Sequence, residues 1–236
     1  MDQNVLDAQI RWPNVPAAFG WLSLDPRGQW RLHEGGGSGE GGPGEPIANQ
    51  QITGFMNRNY THDDQGRWFF QNGPQRVYVR LDAAALILHY DAQDASFVAH
   101  TGEQAGAVAG WVLDDQGRLF AQTALGPGMV IDRDLIGVLD AMSVARQDAP
   151  ATAALSQAPA ISPAPVTSQA VGTSEATASS EAIADVLLNA LDAMSPGETI
   201  AVEHPCSAHP LPLRMMRSDE VAHALGFVAS PAPART

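Results

Sequence analysis

The chain has 236 residues, enough for one large or two small domains, and a formal net charge of −13 in which all 13 basic residues are Arg. That acidity argues against a general affinity for nucleic acid or for an anionic membrane surface, since both need a basic footprint. One Cys leaves no intrachain disulfide, no stretch approaches about eighteen apolar residues, and the start MDQNVLDAQIRWP has early acids instead of an apolar run. The expectation is a cytoplasmic protein without signal peptide or transmembrane helix.

Residues 5–10 are predicted to form a short helix that stops before Pro13. Gly20 to Leu32 (GWLSLDPRGQWRL) reads as a hairpin. Its turn is Asp25-Pro26-Arg27-Gly28, with Pro fixing φ at the second position and Gly at the fourth. Residues 34–44 (EGGGSGEGGPG) carry too little apolar surface to order themselves and read as a flexible loop. A phosphate cradle does not fit, because no Lys-Ser/Thr follows and no strand leads directly in. Ile47 to Asn57 looks helical, with Asn49 as cap and Ile52, Phe55 and Met56 on one face.

That helix leads into the stretch around which the rest is organised, Arg58 to Leu81 (RNYTHDDQGRWFFQNGPQRVYVRL). Asp63-Asp64-Gln65-Gly66 turns it once and Asn72-Gly73-Pro74 again. Trp68 and Phe70 share one strand face, and Arg67, Phe69 and Gln71 the other. Alternation then puts Val77, Val79 and Leu81 inward and Arg76, Tyr78 and Arg80 outward. Residues 84–90 and 96–100 are predicted strands. Gly110 to Gln122 is a third hairpin, turned at Asp114-Asp115-Gln116-Gly117. A helix from Asp132 through Met142 carries Leu135, Val138, Leu139 and Met142 as its stripe.

The three hairpins form an internal repeat on Asp-x-x-Gly turns, closest between DDQGRWF and DDQGRLF. Their unequal spacings exclude a solenoid. Residues 148–180 have no aromatic and many Ala, Pro, Ser and Thr, which reads as a disordered linker. In residues 181–236 a helix over 181–194 and a second one, capped by Ser218 and ending near Gly226, are predicted. The fold class is α+β: residues 1–147 as repeated antiparallel β-hairpins with two packed helices, then the disordered linker and a small helical tail, expected to dock on the N-terminal part or on a partner.

On WPNVPAAFGWLSLDPRGQW, and above all on the run GRWFFQNGPQRVYV (Gly66 to Val79), residues 10–145 resemble an uncharacterised proteobacterial family, a domain of unknown function, marked by RNYxxDDxGRWFFQNGPQRVYV. The Gly-rich loop and the linker depart from its pattern. The order of hairpin, helix and second hairpin is also similar to another uncharacterised bacterial family with a repeated α+β motif and a suggested signalling role. Neither resemblance brings catalytic residues or a cofactor.

Three groups of residues bear on function. Arg76, Tyr78 and Arg80 form the outward row beside Asn59, Gln71 and Asn72. Arg beside aromatics and amides is the composition of recognition surfaces, and in an acidic protein such a row would draw a small anionic ligand or a protein partner. Pairing with the protein's own acids, such as Asp82, is the competing account. His204, Cys206 and His209 are of zinc-ligand type, and Cys206 beside them could be a nucleophile. Their spacing matches no established zinc module, and a solvated loop is the preferred account of them. Asp63-Asp64 and Asp114-Asp115 could work as paired carboxylates, and His62 and His100 as acid–base groups, but turn chemistry accounts for the former. No G-x-S-x-G, H-E-x-x-H or dinucleotide fingerprint occurs. The function expected is non-enzymatic binding or regulation without a cofactor; the alternative is a hydrolase or metal-dependent enzyme using the His204/Cys206/His209 loop.

Overall fold

The computed structural model describes residues 1–145 and 185–233. The 148–180 linker expected from composition lies outside the described residues. Helix α1 is Gln3–Arg11. Sheet A then draws on six strands: β1 Ala18–Leu24, β2 Trp30–Leu32, β3 Glu45–Pro46, β4 Tyr60–His62, β5 Trp68–Asn72 and β6 Gln75–Leu81. Helix α2, Gln50–Arg58, precedes β4, and the Asn49 side chain caps it by accepting from the Gln51 and Ile52 N–H groups. Sheet B comprises β7 Leu86–Asp91, β8 Ser96–Ala99, β9 Val108–Asp114, β10 Leu119–Thr123, β11 Pro127–Val130, β12 Ser143–Val144, β13 Thr199–Glu203 and β14 Leu211–Met216. Helix α3 is Asp132–Asp140, the described residues 185–193 are helical (α4), and α5 is Val221–Ala224.

All three Asp-x-x-Gly turns have one geometry. In each, the Asp Oδ1 accepts from the backbone N–H groups two and four residues on, at 2.8–3.1 Å. The Gly N–H returns to the Asp carbonyl at 2.9–3.0 Å, with Gly φ of 77°, 72° and 75°. That is a type I turn closed by a left-handed residue, which only Gly enters without strain. The Asp Oδ2 is gripped by an Arg at 2.7 Å: Arg31 on Asp25, Arg67 on Asp63 and Arg118 on Asp114.

Sheet A runs β3-β2-β1-β6-β5-β4 and sheet B β12-β13-β14-β9-β10-β11-β7-β8. The α+β class and the hairpins agree with the sequence, but parallel pairs join the hairpins to one another: β1 with β6, β11 with β7, and β14 with β9. The tail is corrected too. It supplies β13 and β14 to sheet B and puts Val202, Leu213, Val221 and Phe227 in the same core as Trp68 and Val79. Backbone bonds Val228 N–H to Gly66 O and Leu81 N–H to Ala229 O tie it to sheet A as well.

The glycine-rich loop is likewise built into the fold. Residues Glu34–Glu40 form tight 3₁₀ turns, Ser38 is buried, and Gly20 lies so close to the Gly36 carbonyl that a Cβ there would meet it at 2.1 Å. Little apolar surface is needed, because this loop is held by hydrogen bonds to sheet A. Among the described residues no helix is long and apolar enough to cross a membrane.

Candidate functional site

The outward row is not one surface. Tyr78 is 4% exposed. The Phe19 ring stacks on it at 4.6 Å and 10°, and its hydroxyl donates to Asp63 Oδ2 at 2.9 Å. Arg80 donates to Asp82 Oδ1 at 2.8 Å, to the Gly42 carbonyl at 2.9 Å and to the Ser38 carbonyl. It is therefore the post on which the glycine-rich loop hangs. Asn59 is fully buried; its side chain donates to the Phe55 carbonyl and to Asp2, and its Oδ1 accepts from the Asp2 N–H. Gln71 is buried and donates to the Gly73 carbonyl. Alternation puts Arg76, Tyr78 and Arg80 on one side of sheet A, but it does not show that Phe19 covers Tyr78 or that the loop covers Arg80. Arg76 remains exposed, over the Phe69 ring at 4.8 Å. Asn72 is exposed at the tip of the β5–β6 turn.

The carboxylate pairs are turn parts. Burial works to raise the Asp63 carboxyl, but the Arg67 side chain and backbone, Tyr78 and the Gln65 N–H override it and hold it down at about 2. Asp115 is lowered chiefly by the Ser218 N–H, which it binds at 2.9 Å. His62 is exposed and bonds through Nδ1 to the Asp63 carbonyl at 3.0 Å. His100 is enclosed near Trp30 and Tyr60, and burial pushes it down to about 3.

The loop offered as the alternative metal site does not converge. His204 turns into sheet B among Tyr90, Phe97 and Trp111, with ring centroids 5.4–6.0 Å away. Its Nδ1 accepts from the Cys206 N–H at 3.1 Å, and burial lowers it to about 4. Burial also pushes the Cys206 thiol up to about 11, opposite to what a nucleophile needs. His209 is exposed. Among the described residues no group of three or more His, Cys, Asp or Glu could hold a metal ion. The aromatic surroundings, not the sequence spacing, decide this: His204 fills a slot between rings where a ligand would face solvent.

A site without a clear sequence signature lies between α2 and the face of sheet A that carries Leu22, Val77 and Phe70. It is a groove of ≈ 560 Å³. One wall is α2, through Ile52 and Met56 at helical spacing; the other is Trp21, with Leu32 and Ile47 at one end. A bulge in β1 makes room: register passes from Ala18↔Val77 to Leu22↔Val79, so β1 takes four steps against two on β6. Gly20, φ 82°, sits in it. Trp21 is left 44% exposed and Ile52 50% exposed. The far end carries Asn72 and Gln75, which pair across the β5–β6 turn. Gln75 donates to the Pro16 carbonyl at 3.0 Å, and Asn72 makes no side-chain hydrogen bond among the described residues. The one sequence signal is Ile52, which shares a helix face with the buried Met56.

A family model described as "Protein of unknown function (DUF2946)" matches residues 1–232. Among solved structures, the chain is similar to a DUF1285 family protein from Silicibacter pomeroyi DSS-3, with 14% identity and a TM-score of 0.41 over 61% of this chain and 81% of that one. No curated protein matches.

Proposed function

We propose, for a chain that belongs to the family of proteins of unknown function (DUF2946), a non-enzymatic binding role carried by the groove between α2 and sheet A. The supporting observation is the lining. A concave site of this size, apolar along its walls and with a few polar groups at one end, is the general form of a small-ligand site. Exposed Trp21, Leu32 and Ile52 have no folding reason to be apolar, since the core beneath them is already closed by Leu22, Met56 and Phe70.

The test is saturable enhancement of N-phenyl-1-naphthylamine fluorescence by the full chain. Ile52→Glu should weaken dye binding by about tenfold or more, because a carboxylate on the wall would be desolvated by the ligand. Its melting temperature should stay close to that of the parent. Ile136→Glu, on exposed α3, is the control and should bind normally. Equal dye binding by the Ile52 variant, or none by the parent, removes the groove from consideration.

A further inference from the structure

We infer that the ligand is an uncharged single-chain amphiphile, its apolar body along α2 and its hydrogen-bonding head at Asn72 and Gln75. This rests on the reading of the groove as the binding site. Three observations select the class. First, no lining residue is charged, so an ionic head would shed water without meeting a counter-charge. Second, the net charge of −13 sets a field that opposes an anion in particular. Third, the polar groups that are present cluster at one end, and they are amides.

The amides define what the head can be. The Asn72 side chain has a free donor and a free acceptor among the described residues. Gln75 spends its Nε2 on the Pro16 carbonyl, which fixes the side chain and leaves Oε1 as an acceptor. An alcohol or a primary or secondary amide head satisfies such a pair; an ester or a carboxylate offers no donor to Oε1. The body crosses the strands, from Leu32 on β2 past Leu22 on β1 to Val77 on β6. Successive strands lie about 4.8 Å apart, so the three give the trough a length of about 10 Å, within the reach of a medium-length alkyl chain.

The experiment is displacement of N-phenyl-1-naphthylamine from the full chain by 1-decanol below its solubility limit, or by decanoate or decyltrimethylammonium below their micelle concentrations. Decanol should displace the dye at a concentration about tenfold below either ion, the scale of a desolvated charge left unpaired. Asn72→Leu should abolish decanol's advantage over the ions, read as the ratio of their displacing concentrations on that variant. Asn72→Asp should reverse the order in favour of the cation. Ions displacing as well as decanol, or an advantage that survives Asn72→Leu, would overturn the assignment of head group while leaving the groove as the binding site. Absence of dye binding altogether would overturn the parent reading instead.

Discussion

Arg76 and Arg80 stand on alternating positions of β6 and leave the sheet on the same side, yet their surroundings make them different residues. Arg80 binds Asp82 and two loop carbonyls, so Arg80→Ala strands Ser38 and Gly42 and should cost about 2 kcal/mol, the scale of hydrogen bonds to a charged group. Arg76→Ala loses only an exposed contact over Phe69 and should cost less than about 1 kcal/mol. Chemical denaturation of both variants decides; equal losses would mean the loop does not hang on Arg80. Histidine gives the pH response. The unfolded chain titrates near 6.5, whereas burial holds His100 at about 3 and His204 at about 4. Below 6.5 the unfolded state therefore takes up protons that the folded state refuses. Stability should be full above about pH 6.5 and fall as the pH drops through 4 towards 3. His204→Phe should flatten the melting-temperature slope between pH 6.5 and 4, and an unchanged slope would assign the acid sensitivity elsewhere. Asp63, held at about 2 against 3.8, adds its own loss only in more acidic solution.

Each Asp-x-x-Gly turn is readable as a turn from four residues, but what it does for its neighbours is not. The second receives the tail: Gly66 accepts the Val228 N–H, and a Cβ on it would meet the Gly226 carbonyl oxygen at 2.2 Å. The third receives residues 216–218 through Asp115 and Gln116, while a Cβ on its Gly117 would meet nothing within 4 Å. Gly117→Ala should thus cost only the left-handed backbone, about 1–2 kcal/mol. Gly66→Ala carries the same strain plus a backbone clash and should cost at least about 1 kcal/mol more. Matched denaturation curves check this, and equal costs would show that the tail yields without penalty. The reason for the asymmetry is distance along the chain: the Gly is fixed by its own turn, the clash by residues 160 positions away.

Over the whole molecule, the pattern of apolar alternation gave the class, the hairpins and the inward set Val77, Val79 and Leu81. It could not give the order of the sheets, because parallel joins between hairpins are set by which edge finds which partner. Both sheets end in short edge strands: two residues in β3, three in β4, two in β12. The fourth, β8, is covered by backbone bonds from residues 103–105. Among the described residues the sheet edges are therefore short or covered, which blunts edge-to-edge pairing. A fragment of residues 1–147 would create a long open edge, since β9 loses β14, its partner at Trp111 and Val112, and Trp111 loses the His204 ring. It should show no cooperative melt, and a peptide of residues 185–233 added in trans should restore one. A fragment that melts cooperatively by itself would mean that β13 and β14 only decorate sheet B. The groove was illegible for a related reason: it exists because a bulge and a helix meet, and neither sequence segment announces the other.

The β9–β14 pairing also sets an order of events during synthesis. Gln116 and Ser218, bonded in the finished protein, are 102 residues apart. Sheet A and the β9–β10 hairpin can form as soon as they leave the ribosome, but β9 must wait, unpaired on one side, until β14 has emerged. Closing so long a loop is entropically cheap in its length dependence yet slow to search. For that interval the nascent chain displays an apolar strand edge containing Trp111 and Val112, the kind of surface that chaperones hold and that drives aggregation. Yield in a cell should accordingly depend on the rate at which residues 117–216 are translated.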